Sequence, residues 1–322
     1  MNLDLLLSNL TSPAFLFFIL GIVAVKLKSD LEIPANSSKF ISLYLLFSIG
    51  FKGGQELSHE TFSAEIAWSM LFGIGISLLI PVYTFFILKR KLNIFDAGAI
   101  AAAYGSVSAV TFVTAVSYLD SEKLQLQGHM VAIMALMESP AIIAGLILIS
   151  IYNKEKNDTV NKLEVVIHSF TNGSVLLILG SLIIGLLANA KQAEGIKPFT
   201  NDIFKGFLAI FLLDMGIVSG RKLSSFLANG WFPFFFAFII PLFNGCFVAI
   251  LSQFITEDIS NRFMFAVLAS SASYIAVPAA MKLAAPKSNP GLYIPMALAV
   301  TFPINITIGM PIYLSVIKYL FL

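Results

Sequence analysis

Charged side chains make up only 12% of the 322 residues, and the chain holds one cysteine and three histidines. Each scarcity closes off a class of function. A lone Cys246 inside an apolar run cannot form an intrachain disulfide and reads as a small core residue. His59, His129 and His168 all fall near the ends of predicted apolar spans, where imidazoles are expected to be solvated. There is no G-x-S-x-G, no Walker loop, no H-E-x-x-H and no cysteine cluster, so no enzyme activity is expected. The net charge is +2, and no run of Lys and Arg is interleaved with aromatics, which leaves no electrostatic footprint for nucleic acid. The first residues, M-N-L-D-L-L-L-S-N-L-T-S-P, carry an acid and no base, unlike a cleaved leader, so the first apolar run is read as a retained helix.

What the chain has instead is apolar length. At 58% hydrophobic residues it holds more apolar surface than one or two soluble domains can bury, and its obligatory partner is the lipid bilayer. Ten runs are long enough to cross the hydrocarbon core: 12–28, 38–55, 64–88, 95–118, 127–152, 168–190, 201–220, 231–255, 262–284 and 290–319. The one long polar interruption, N-K-E-K-N-D-T-V-N-K-L-E at 153–164, separates five runs from five. The expected fold class is an all-α integral membrane protein of ten transmembrane helices. The first five-helix repeat is 1–152, the cytoplasmic linker 153–167 and the second repeat 168–322.

The halves share landmarks at a nearly constant offset. Gly21 matches Gly185 and Pro34 matches Pro198, 164 apart, while Gly50 and Gly54 match Gly216 and Gly220, 166 apart. Ser106 and Ser108 match Ser271 and Ser273, 165 apart; M-A-L recurs at 134–136 and 296–298, and Pro140 pairs with Pro303. With five spans per half, the second copy enters the membrane inverted, the architecture of secondary transporters; a symmetric scaffold or channel is the alternative. The side of the odd-numbered connections collects 13 of the 20 Lys and Arg residues, which places it in the cytoplasm and both termini outside. A cell (inner) membrane location follows.

Two stretches differ from ordinary spans: A-A-A-Y-G-S-V-S-A-V-T at 101–111 and A-V-L-A-S-S-A-S-Y-I-A at 266–276. Gly105 weakens a helix, and Ser106, Ser108, Ser270, Ser271 and Ser273 can bond the backbone groups that unwinding frees. A break at mid-membrane persists only where it is buried in protein or lines a wet cavity. Two half-helix N-termini meeting there favour a small oxyanion, although small residues also serve close helix packing. Of the acids within spans, Glu138 lies beside Ser139 and Pro140 and reads as a cation ligand or proton carrier. Its counterpart region, T-F-P-I-N, offers the neutral oxygens of Thr301 and Asn305. For Asp214 an inter-helix hydrogen bond and a transport role are equally open. An anion entering a negative interior works against about 2.3 kcal/mol per charge per 100 mV, so an accumulating carrier needs a co-transported cation such as Na+.

I-G-F-K-G-G-Q-E-L at 49–57, G-S-V-S at 105–108, M-E-S-P-A at 137–141, S-S-A-S-Y-I-A-V-P at 270–278 and S-N-P-G-L-Y-I at 288–294 together resemble the SbtA-type sodium-dependent bicarbonate permeases over essentially the whole chain. The resemblance implies crossed discontinuous helices as in bile-acid symporters and sodium/proton antiporters. Spans 3–5 and 8–10 would form a core part, and spans 1, 2, 6 and 7 a gate part that also carries a trimer contact. Bicarbonate would lie near Gly105, Ser106, Ser270, Ser271 and Ser273, and sodium near Ser108, Thr111 and Glu138, with Asn305 a weaker candidate. The chain departs from the family in having Glu138 for Asp, Tyr274 for an Asp, and Val277, Pro278 and Ala279 for Gly-Pro-Pro. Its linker is also short where relatives often carry an acidic insert, which weakens the case for a PII-like regulatory protein as partner. Transport of another small monovalent anion or monocarboxylate, or sodium/proton antiport, are the alternative readings.

Overall fold

The computed structural model describes residues 13–60, 63–153, 173–227 and 230–319, and among them there is no strand. The helices are α1 (Pro13–Lys26), α2 (Ala35–His59), α3 (Ala64–Leu88), α4 (Ile94–Gly105), α5 (Ala109–Ser121), α6 (His129–Tyr152) and α7 (Gly173–Leu187). After them come α8 (Ala190–Lys197), α9 (Phe204–Leu227), α10 (Trp231–Leu251), α11 (Ile259–Ser270) and α12 (Ala276–Ala284), and a last helix, α13 (Pro290–Tyr319). The sequence-expected linker at 153–167 lies almost wholly outside the described residues, as does His168.

Among the described residues six helical stretches are long and apolar enough to cross a membrane: Ala64–Leu88, Ile94–Ser121, His129–Tyr152, Ala190–Leu223, Trp231–Phe254 and Pro290–Tyr319. The other runs read from sequence fall short for separate reasons. α2 is 25 residues long but carries Lys39, Lys52 and Glu56. The described parts of α1 and α7 are short, at 14 and 15 residues, and the run at 262–284 is divided between α11 and α12. The amphipathic α8, opened by an Asn189–Gln192 capping box, was not expected from the hydropathy.

Glycines set the closest helix pairs. A Cβ on Gly54 would collide with the Leu182 carbonyl oxygen, and one on Gly185 with that of Phe51. This seats α2 on α7 backbone to backbone. The α1–α9 pair repeats the device: Gly216 faces the Phe18 carbonyl and Gly21 that of Leu213. Such contact needs residues without side chains, the small-residue logic of membrane helix packing. The sequence match set Gly50 against Gly216, but these contacts make Gly54 the counterpart of Gly216, one helical turn further on. Gln55 strengthens the first pair, its amide donating to the carbonyls of Gly185 and of Ala188, the latter at 2.9 Å.

The remaining helices pack as α3, α4 and α6 on one side and α10, α11 and α13 on the other. Pro295, Pro303 and Pro311 each remove an amide donor from α13, which winds wide as π-helix over Met296–Thr301 and Asn305–Gly309. At the edges of those windings Thr301 and Asn305 reach neighbouring helices. The Thr301 hydroxyl donates to Ala237 O at 2.9 Å and therefore accepts from Tyr104 at 2.7 Å.

His129 corrects the expectation of solvated interfacial imidazoles. It is 2% exposed, and its Nδ1 lies 2.8 Å from Glu60 Oε2. Glu60 Oε1 accepts from the Gly128 amide at 2.7 Å, so one carboxylate clamps the N-terminus of α6 to the end of α2.

Gly54→Ala is expected to lower the detergent-solubilised melting temperature, since forcing a methyl onto backbone costs about 1–3 kcal/mol. Gly180→Ala on the same pair of helices meets nothing within 4 Å and is expected to leave the melting temperature unchanged or slightly raised.

Candidate functional site

Two helices begin and end alike. Asn93 Oδ1 accepts from the Asp96 amide at 2.9 Å to open α4, and Asp258 Oδ1 accepts from the Asn261 amide at 2.8 Å to open α11. Each runs 12 residues and then stops. The next residues turn to extended backbone, Ser106 at φ −80, ψ 174 and Ser271 at φ −81, ψ 167. The chain resumes helix at Ala109 and at Ala276.

The interruptions cross and satisfy one another. Ser273 N–H donates to Ala103 O at 2.8 Å, and Ser108 N–H donates to Ser271 Oγ at 3.0 Å. Carbonyls freed at the end of α11 find partners too: Asn305 Nδ2 donates to Ser270 O at 2.8 Å, and Asn244 Nδ2 to Ala269 O at 3.2 Å. Ser108 also caps α5, its Oγ accepting from the Thr111 amide at 3.2 Å. No side chain caps α12, which is nine residues long.

Beside the crossing lies a narrow cavity with about 20 Å3 of room for the centre of a water molecule, enough for a water or a bare ion. The starts of both resumed helices line it, Ser108 and Ala109 from α5 and Ser273, Tyr274, Ile275 and Ala276 leading into α12. Met134 and Glu138 of α6 form another wall, and Leu46 of α2 and Ile178 of α7 close it from the glycine-packed pair. No Lys, Arg or His is among the lining residues. The half-buried Glu138 carboxylate makes no hydrogen bond or ion pair with any described residue. An acid inside a span without a protein partner is one that a mobile cation or proton can engage.

The sequence-predicted residues separate into those that reach this cavity and those that hold its walls. Ser108, Glu138 and Ser273 are brought together. Ser270 and Ser271 turn their hydroxyls onto Val267 O and Leu268 O, at 3.0 and 2.9 Å. Gly105 abuts the Pro81 ring, and a Cβ on it would also lie 3.1 Å from Ala141 Cβ. Asn305 is fully occupied, donating to Ser270 O and accepting from the Tyr313 hydroxyl at 2.9 Å. Asp214, 5% exposed, accepts from Ser38 Oγ at 2.5 Å, an inter-helix bond between α9 and α2. Reasoning from the serines alone missed Leu46 and Ile178, whose place depends on a distant helix pair. It also passed over Tyr274 as a binding residue, although its position directly after Ser273 was the available signal.

The family model described as the Na+-dependent bicarbonate transporter superfamily matches residues 13–318. No curated protein gave a match.

Asn305→Ala removes the amide donor to Ser270 O and leaves the Tyr313 hydroxyl only its longer bond to Pro241 O at 3.3 Å, at a cost of roughly 1–3 kcal/mol for the group left unsatisfied. The expected result is a clear fall in melting temperature that added sodium does not reverse.

Proposed function

The chain belongs to the Na+-dependent bicarbonate transporter superfamily, and from that premise we propose that it is a sodium-coupled symporter that carries bicarbonate into the cell by alternating access. The observation that carries this reading is the shared cavity. A carboxylate without a partner among the described residues, the hydroxyl-bearing Ser108, Ser273 and Tyr274, and the N-termini of α5 and α12 line the same small space, with no basic residue among them.

The electrostatics of such a space dictate an order of occupancy. An anion entering alone meets Glu138 across a medium of low dielectric, where like charges a few ångströms apart repel by several kcal/mol. A sodium ion held by Glu138 and the Ser108 hydroxyl cancels that charge, and its hard character suits oxygen donors. Bicarbonate then finds the positive ends of two helix dipoles and hydroxyl donors. Coupling in this scheme comes from charge: neither ion is well accommodated without the other.

Alternating access needs one body to move against another. The proposed moving boundary separates α1, α2, α7 and α9, which pack through Gly21, Gly54, Gly185 and Gly216, from the helices that carry the crossing. Leu46 and Ile178 belong to the first body and the other cavity walls to the second, so a shift at this boundary opens or closes the site. The reading includes ten spans in two inverted repeats, with both termini outside. The reciprocal glycine contacts and the matched capping of α4 and α11 support it.

Uptake of labelled bicarbonate into proteoliposomes tests the proposal. An inward sodium gradient is expected to stimulate uptake, and Glu138→Gln to weaken sodium activation about 10- to 100-fold, the worth of one charged contact of roughly 1.5–3 kcal/mol. Glu138→Asp is expected to retain coupling. Sodium-independent uptake, or a sodium-driven pH change without any anion present, would count against symport.

A further inference from the structure

Tyr274 stands where the crossing meets the moving boundary. Its backbone follows Ser273, which is pinned to Ala103 O on α4, so its starting point is fixed relative to both breaks. Its side chain lines the cavity, and its hydroxyl reaches across to α9, ending 3.8 Å from Met215 Sδ. A thioether is a weak acceptor. The Ser108 side chain is its other near neighbour. The phenol is thus a donor whose acceptor across the boundary is a weak thioether and whose other partner, the Ser108 hydroxyl, belongs to the same cavity wall, beside the start of α12, whose first amides no side chain caps.

The ring has a second consequence. The cavity is small although the breaks themselves carry only small residues, and Tyr274 and Glu138 are its large polar walls. Because Met134, Leu46, Ile178 and Ile275 supply the rest of the larger wall groups and are apolar, the phenol is the neutral donor best placed to fix both the orientation and the size of a bound oxyanion.

We propose that Tyr274 is a substrate-binding and size-selecting residue, donating its O–H to an oxygen of the transported anion while its ring excludes anions bearing an alkyl group. This rests on the symport reading above and names the residue that confines its substrate class to oxyanions as small as bicarbonate. No bond is made or broken.

The experiment uses the full chain in proteoliposomes with labelled bicarbonate under a sodium gradient, with acetate and lactate as competitors. Tyr274→Phe, which keeps the ring, is expected to raise the half-saturating bicarbonate concentration about 10-fold, as for loss of one hydrogen bond to a charged group. Its half-saturating sodium concentration, measured at saturating bicarbonate, is expected to stay that of the unaltered protein. Tyr274→Ala is expected to make acetate and lactate effective competitors at concentrations the unaltered protein ignores. If the unaltered protein shows no sodium-stimulated uptake, the symport reading falls and this inference with it. If it transports but Tyr274→Phe keeps the same half-saturation, or loses sodium and bicarbonate affinity in parallel, Tyr274 is not a substrate donor and the inference alone is overturned. Continued exclusion of acetate and lactate by a Tyr274→Ala protein that melts like the unaltered one overturns the size-selecting role.

Discussion

A helix that stops inside an apolar interior leaves amides and carbonyls that lipid cannot satisfy, each at a cost of several kcal/mol. Here two helices stop, and each answers the other: Ser273 N–H binds Ala103 O, and Ser108 N–H binds Ser271 Oγ. Much of the surrounding structure serves this exchange. Ser271 accepts from Ser108 while its own hydroxyl donates to Leu268 O, so one side chain ties both breaks together. Asn244 of α10 and Asn305 of α13 each give an amide to the end of α11. The π-wound stretches of α13 are part of the same arrangement, because Thr301 and Asn305 sit at their borders and hold α4, α10 and α11 in place. A polar network of this kind fixes geometry because its members are bonded, and the Ser270 and Ser271 hydroxyls are consequently unavailable to a ligand.

That reasoning divides the serines by role. Ser270 and Ser271 hold the frame, whereas Ser108 and Ser273 face the cavity. The division is set by where each residue stands relative to the end of a helix. A serine in the last turn bonds backward to a carbonyl three residues earlier, as Ser270 does to Val267. A serine just before a helix start caps it forward, as Ser108 does for Thr111. Only the second kind stands at the positive end of a dipole, so only the second kind adjoins a space suited to an anion.

Much of this was legible in the sequence. Small hydroxyl-bearing stretches inside apolar runs marked both breaks, and their 165-residue spacing recurs in the caps Asn93 and Asp258 and in the helix ends Gly105 and Ser270. Glu138 stood out because carboxylates are expensive in a membrane. Other features were hidden for physical reasons. Apolar periodicity reports that a helix exists but carries no register between distant helices, so Gly50 was matched where the contacts select Gly54. The burial of His129 depends on a partner, Glu60, that reaches it across a loop from another helix. Leu46 and Ile178 are ordinary apolar residues in sequence, and they become cavity walls only because the glycine-seated α2–α7 pair lies against the crossing.

The composition of the cavity also bears on direction. With a single carboxylate and no basic group, the empty site is negative, and membrane insertion of that charge is least unfavourable when a cation occupies it. In the proposed cycle one sodium cancels Glu138, so the loaded site carries the charge of the bicarbonate alone, set against the positive ends of the two dipoles. One sodium with one bicarbonate moves no net charge, so the sodium gradient alone drives accumulation. A second sodium would add about 2.3 kcal/mol per 100 mV of membrane potential, but it would need oxygen ligands beyond those the cavity shows. Among the described residues the buried Ser106 and Ser139 hydroxyls have no partner, but both lie outside the cavity lining and are neutral. A neutral hydroxyl compensates little of the cost of desolvating a second cation. In the proposed symport, one sodium with one bicarbonate is a charge-neutral load that the membrane potential neither assists nor opposes.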